Sequence, residues 1–260
     1  MDELGRFLCN LVTVVPEGIV CFFSSFEYER KVYEAWRASG ILEKICKRKK
    51  IFREPKSNTD IEDVLKEYKE TILKCENASR DDPGPHGALF LAVVGVKVSE
   101  GINFSDGMGR CIVMVGLPYP SSSDVELMER IKYIDKIDEP PSHSFAKPLS
   151  NTVYENNSTK SGFDVLRSCK HQGKEYYENL CMKAVNQSIG RAIRHKNDYA
   201  AILLVDSRYL SDSSKIISSH PTDKLPVWIK DRLIFADKNY GQVHRLLHQF
   251  FKANKQRECS

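Results

Sequence analysis

Three side chains suited to phosphate chemistry, together with a glycine, lie within one short segment that ends at Arg194. Gly190, Arg191 and Arg194 follow Gln187 at offsets that return to one face of the helix predicted over Tyr176–Ile193. The planar guanidinium of arginine is always charged and stabilises negative charge on a transferring phosphoryl group. Gly190, which lies between Gln187 and Arg191, lets a ligand approach the backbone closely. The same pattern is also typical of an amphipathic helix whose arginines form solvated salt bridges.

A second candidate segment follows the apolar run Ala88–Gly95 and carries Lys97, Glu100, Gly101 and Asn103. Glycines in such a loop free backbone N–H groups to face a ligand, and the Asn103 amide can bond a hydroxyl or a phosphate. Because the segment follows a predicted strand, we expect it at the carboxyl end of a sheet. The alternative is an ordinary loop whose glycines serve turn geometry.

Two serines, Ser24 and Ser25, follow the apolar run Gly18–Phe23 and precede a predicted helix. Either hydroxyl suits the N-cap of that helix. Helix N-termini also bind phosphate groups. Capping and ligand contact explain the two serines about equally well.

The elements that position these residues are predicted from nearly continuous apolar runs, which are typical of strands buried on both faces of a parallel sheet. The runs are Gly18–Phe23, Ala88–Gly95, Cys111–Pro118 and Ala200–Asp206, with Lys50–Arg53 as a weaker edge strand. Helical patterns alternate with them over Glu3–Val14, Glu27–Ala38, Asp60–Lys74, Asp124–Tyr133, Tyr176–Ile193 and Tyr240–Ala253. This alternation predicts an α/β fold with a doubly wound, mainly parallel sheet flanked by helices.

Bulk properties set further bounds. The 260 residues are predicted to form one domain, with a flexible insertion over Ile137–Gly173, which is rich in Ser, Asn, Pro and Lys. The net charge of +4 is compatible with nucleic acid but does not argue for it. No apolar stretch is long enough for a membrane span. The eight cysteines form no C-x-x-C pair, which favours structural thiols in a reducing, intracellular compartment over metal ligands.

Taken in chain order, the Ser24–Ser25 segment, the Lys97–Asn103 segment and the Gln187–Arg194 segment resemble motifs IV, V and VI of superfamily-two helicases. The finer sequence is similar to the XPD-like iron–sulfur DNA helicases, above all to their chromosome-cohesion branch. The similar stretches are F-F-S-S-F-E-Y with Trp36 downstream, S-E-G-I-N-F-S-D, G-L-P-Y-P and C-M-K-A-V-N-Q-S-I-G-R-A-I-R-H. The resemblance covers nearly the whole chain and is weakest over Ile137–Gly173.

This resemblance implies a RecA-like second motor lobe that closes over ATP bound to a first lobe. Arg194 would be the arginine finger on the γ-phosphate, with Arg191 as a second phosphate ligand and Gly190 beside the nucleotide. Gln187 would orient the attacking water or contact the γ-phosphate. Many members of the family carry Asp where Asn103 lies.

The resemblance also implies a nucleic-acid track. Glu100, Gly101 and Asn103 would couple the nucleotide to this track. Ser24, Ser25 and Lys97 would contact the backbone of the tracked strand, because hydroxyls and a lysine suit phosphate without reading sequence. The implied partners are single-stranded or forked DNA and the first lobe, with no membrane. The implied location is the nucleus.

Two motifs of a complete ATP site are absent from the sequence. There is no G-x-x-x-x-G-K-[ST] phosphate loop, since Gly173-Lys174 is followed by Glu175, and there is no Asp-Glu-Ala-His segment for magnesium. We therefore expect ATP with Mg²⁺ to be held mainly by the first lobe. By resemblance, that lobe would also hold the iron–sulfur cluster, and this chain none.

Two other classes of function compete with the motor lobe. One is a non-catalytic nucleic-acid-binding or docking module that acts with a partner chain. The other is a small-molecule enzyme on a doubly wound sheet, which the missing nucleotide-binding glycine fingerprint disfavours. A first lobe encoded upstream in the same transcript would favour the motor lobe over the docking module.

Overall fold

The computed structural model describes residues 1–57, 60–76, 84–96, 98, 102–137, 162–210, 219–236 and 239–258. Within these residues a sheet of five parallel strands has the order β2-β3-β1-β4-β5. The strands are β1 (Gly18–Phe23), β2 (Lys50–Arg53), β3 (Ala88–Val93), β4 (Cys111–Val115) and β5 (Ala201–Val205). The predicted α/β fold is confirmed, including the weaker strand at the edge.

Helices cover both faces of this sheet. They are α1 (Asp2–Val14), α2 (Phe26–Ala38), α3 (Ile41–Cys46), α4 (Ile61–Glu76), α5 (Val125–Ile137), α6 (Gly162–Ser168), α7 (His171–Ile189), α8 (Val227–Lys230) and α9 (Tyr240–Glu258). No helix in the described ranges is both long and apolar enough to cross a bilayer.

The core has two halves because every residue of β1 is buried and successive side chains point to opposite faces. On one face, Phe22 packs in a cluster with Tyr68 of α4 and Phe104. On the other face, Phe23 packs in a cluster that includes Trp36 of α2. Burial on both faces explains why the strands are continuous apolar runs without alternation.

The predicted flexible insertion differs from the structure in its C-terminal part. Residues 162–173 form α6 and the start of α7, and Val165 and Leu166 are 2% and 1% exposed in a cluster with Ile131 and Tyr177. The prediction averaged composition over the whole segment, so this short apolar pair was lost among polar neighbours. Residues 138–161 lie outside the described residues.

One lysine is buried within the fold, at the amino end of β2. Lys49 is 1% exposed, and its ammonium donates to the carbonyl oxygens of Glu17 and His86 at 2.7 and 3.3 Å. Burial lowers the pKa of Lys49 to about 7 from an ordinary value of 10.5. Between these two values the folded state binds fewer protons than the unfolded chain.

We therefore expect the contribution of Lys49 to the free energy of unfolding to rise with pH over this window, from about 7 towards 10.5. Urea denaturation of the wild type and of Lys49→Met across this range should reveal a difference that favours the wild type increasingly as pH rises. Lys50→Met is the matched control, because the neighbouring ammonium is 45% exposed and pairs with Glu67. A difference between the wild type and Lys49→Met that does not change with pH would contradict the assignment.

Candidate functional site

The segment with the two arginines begins as a helix and then leaves it. Helix α7 ends at Ile189, so Arg191 and Arg194 lie beyond it, and the prediction of a single helical face is wrong. The backbone N–H of Ala192 donates to Ile189 at 3.2 Å, a tighter i−3 bond, and Ala192 is 1% exposed in the core. Burying this alanine turns the chain inward, and that turn prevents the helix from continuing.

Gln187 and Gly190 have different surroundings at the end of α7. Gln187 is exposed on the last turn of α7, where it lines an open groove of about 490 Å³ with Lys183, Asn186 and Lys224. A Cβ on Gly190 would meet only the carbonyl oxygens of Asn186 and Gln187, at 3.0 and 3.7 Å. Both atoms belong to the preceding helix, so the described residues give this glycine no approaching segment.

The two predicted nucleotide segments meet in the structure although they are far apart in the chain. The guanidinium of Arg194 donates to the side-chain oxygen of Asn103, and the backbone N–H of Phe104 donates to the Arg191 carbonyl at 3.2 Å. Phe104 is fully buried, with its ring edge-on to those of Phe22 and Tyr68 at 6.4 Å each. The buried ring therefore fixes Asn103, its neighbour in sequence, beside the exposed Arg194 side chain.

This meeting point lies at the amino edge of the sheet, so the prediction of a carboxyl-edge position for Asn103 is wrong. Arg110 immediately precedes β4, and its carbonyl accepts from the first residue of β5 at 2.9 Å. The Arg110 guanidinium contacts Asp198, which in turn accepts from the backbone N–H of Arg194. The chain from 102 to 110 crosses the face of the sheet from β3, which explains the displacement from the strand end.

The two serines lie at the opposite, carboxyl edge, where β1 ends. Ser25 is the N-cap of α2, and its hydroxyl accepts from the backbone N–H of Tyr28 at 3.1 Å. Ser24 is exposed. The capping interpretation therefore holds for Ser25, and Ser24 offers its hydroxyl to solvent at this edge.

Lys97, Glu100 and Gly101 lie outside the described residues, but the start of their loop is anchored by a residue that the sequence did not single out. The carboxylate of Glu54, just after β2, accepts from the backbone N–H groups of Val93 and Val98 at 2.8 and 3.0 Å. Burial raises the pKa of Glu54, although the two N–H donors oppose the shift. Glu54 therefore fixes the chain on both sides of the turn at Gly95, whose φ of +77° favours glycine.

Asp198 is the other residue that sequence reasoning missed. It lies between the cationic run that follows Arg194 and the start of β5, and this single acidic position was the available signal. The carboxylates of Asp198 and Asp106 lie close to the ring of His195. One oxygen or nitrogen atom from each of the three lies within 4.8 Å of the others, a separation that a metal ion could bridge. Both Asp198 oxygens already accept hydrogen bonds from backbone N–H groups, so this carboxylate holds neighbouring chain segments in place.

Comparison with known proteins now identifies the family. The model of the helicase C-terminal domain matches residues 8–223. The chain belongs to the helicase C-terminal domain family. The resemblance of this domain to XPD-like helicases is confirmed by its relatives. The ATP-dependent DNA helicase DDX11 of Danio rerio is 42% identical over 99% of this chain and 25% of its own length, and that of Mus musculus 45% identical over 97% and 24%.

A fungal relative is similar to this chain over nearly the same extent. The ATP-dependent DNA helicase CHL1 of Debaryomyces hansenii is 40% identical over 96% of this chain and 26% of its own length. Among solved structures, Xpd4 of S. tokodaii matches with a TM-score of 0.44 and 20% identity, over 83% of this chain and 33% of that chain. The chain thus spans about a quarter of the length of the curated relatives that it matches.

Proposed function

We propose that this domain is the second motor lobe of an ATP-dependent 5′-to-3′ DNA helicase, with Arg194 as its arginine finger. The contact between Arg194 and Asn103 carries the proposal, because it joins the two candidate nucleotide segments at one edge of the sheet. By the resemblance, Arg191 is a second phosphate ligand, and its backbone carbonyl accepts from Phe104 in the same crossing segment. Gln187, exposed one turn earlier, orients the attacking water.

ATP and Mg²⁺ are held mainly by the first lobe in this proposal. At the amino edge this domain offers, among its exposed side chains, the guanidinium of Arg194 and the amide of Asn103, which suit phosphate and hydroxyl oxygens. An iron–sulfur cluster is likewise assigned to the first lobe. In this domain Cys21 and Cys111 are fully buried in neighbouring strands, where burial raises the pKa of both thiols and opposes the thiolate form that a cluster needs.

DNA passes the carboxyl edge in this proposal. Ser24, at the end of β1, and Lys97 contact phosphates of the tracked strand, and Ser25 contributes the capped N-terminus of α2. Glu100, Gly101 and Asn103 then couple the two edges, because β3 ends at the carboxyl edge and Asn103, the last of the three, contacts Arg194 at the amino edge. We propose single-stranded or forked DNA as the substrate, and DNA repair or chromosome cohesion in the nucleus as the setting.

A reconstitution tests the proposal. The 260-residue chain alone is expected to hydrolyse no ATP above background, with or without single-stranded DNA, because the triphosphate has no phosphate loop to hold it. Joining its first lobe should give DNA-stimulated turnover, and we call the joined form the two-lobed protein. The same form carrying Arg194→Ala is the control for contaminating ATPases.

Two outcomes would count against the motor. Turnover by the purified single chain would mean that its ATP site is complete without a first lobe. DNA binding by the two-lobed protein with no turnover at any DNA concentration would favour a non-catalytic docking module.

A further inference from the structure

Asp198 has an unusual number of hydrogen-bond donors for a side chain that is 0% exposed. Its Oδ1 accepts from the backbone N–H groups of Tyr199 and Asp106 at 2.9 and 3.3 Å, and from the Arg110 guanidinium at 3.5 Å. Its Oδ2 accepts from the backbone N–H of Arg194 at 3.2 Å. One carboxylate therefore joins the ends of three chain segments at the amino edge.

The two oxygens have different tasks. All three donors on Oδ1 belong to the sheet edge, since Asp106 and Arg110 precede β4 and Tyr199 precedes β5. The single donor on Oδ2 belongs to the residue whose guanidinium meets Asn103. Oδ2 is thus the link from a buried, fixed carboxylate to the backbone of an exposed arginine.

We propose that Asp198 is a positioning residue for Arg194, an inference that rests on the proposed function of Arg194 as the finger. An exposed arginine side chain rotates among many conformers, and its reach is defined only if its backbone is fixed. Helix α7 cannot supply that constraint because it ends at Ile189. The carboxylate supplies it, and a displacement of about 1 Å at a reacting group lowers a rate by about 10²-fold.

Asp198→Asn is the sharpest test because the two side chains have the same shape. The amide oxygen should face the three donors whose hydrogen bonds Oδ1 now accepts. The amide NH₂ then faces the Arg194 N–H, so that one bond alone is lost. In the two-lobed protein we expect kcat for DNA-stimulated ATP hydrolysis to fall by about 10- to 100-fold, with the KM for ATP changed by less than about threefold.

A double-mutant cycle separates positioning from general damage. In the Arg194→Ala background, Asp198→Asn should lower kcat by less than about twofold, because there is no finger left to misplace. Multiplicative losses in the double mutant would overturn the inference. If Asp198→Asn does not fold, Asp198→Glu takes its place in the same cycle, since it keeps both oxygens but displaces them.

Asp135→Asn is the matched control. Asp135 also accepts two backbone N–H bonds, from Gly173 and Lys170 at 2.8 and 2.9 Å, but it lies on α5, away from the amino edge. It should change melting temperature without changing kcat. If Arg194→Ala hydrolyses ATP at the rate of the wild type, the proposed function is contradicted. If Arg194→Ala loses turnover but Asp198→Asn keeps the wild-type rate, only the positioning role of Asp198 is contradicted.

Discussion

Replacing Arg194 by Ala in the two-lobed protein is expected to lower kcat for ATP hydrolysis by about 10³-fold or more, as for other arginine fingers. A finger acts mainly on charge that develops in the transition state. ATP binding should therefore change far less than turnover if, as proposed, the first lobe supplies most ground-state contacts. Steady-state kinetics at saturating DNA, with ATP affinity measured separately, checks both expectations.

The melting temperature distinguishes this role from a structural one. The Arg194 side chain is exposed and its one described partner is Asn103, so Arg194→Ala should leave thermal stability nearly unchanged. A structural salt-bridge arginine would give the reverse, with lower stability and intact turnover. Arg191→Ala is the companion measurement and should resemble Arg194→Ala. Arg130→Ala is a matched exposed control, since this arginine pairs with Glu126 on its own helix and with Tyr176 of the neighbouring α7.

Replacing Arg110 by Ala is expected to destabilise the fold by about 3–5 kcal/mol, the usual cost of removing one partner of a buried ion pair. The Arg110 side chain is 8% exposed and bonds Glu17 at 2.8 Å and Asp198 at 3.5 Å. Its guanidinium also lies 4.0 Å from the centre of the Tyr199 ring. Truncation would leave two carboxylates without their shared cation in a place that water reaches poorly.

Chemical denaturation of the isolated chain measures this effect. Arg6→Ala is the control, because its ion pair with Glu3 is on the surface of α1 and should contribute nothing measurable. Arg110→Met should lose less than Arg110→Ala in packing but the same ion pairs, so similar values for both variants would assign the loss to charge. A change in Arg110→Ala as small as that of Arg6→Ala would contradict the buried network.

Much of the fold is predictable from the sequence, and the reason is local. Each strand is a nearly continuous apolar run because its residues are buried on both faces, as in β1 and β3. The strand order is harder to predict from the sequence. β1 lies at the centre of the sheet between β3 and β4, and this placement depends on long crossover connections between the strands. Composition does not predict α6, because this helix is stabilised by contacts with α5 and α7, and such contacts leave little trace in the local sequence.

By itself, the sequence determined the chemistry available to this protein: two arginines and a glutamine in one motif, an asparagine in another, and two serines after a strand. Only the tertiary structure decided which of these act together. Arg194 and Asn103 are 91 positions apart, and Asp198 contacts Arg110 across 88. Neither separation has a local signature, because both contacts depend on β4 and β5 pairing in parallel, which brings the segments before them to one edge. Residue type is local information, whereas the position of Arg194 beyond its helix is set by a buried alanine and a distant carboxylate.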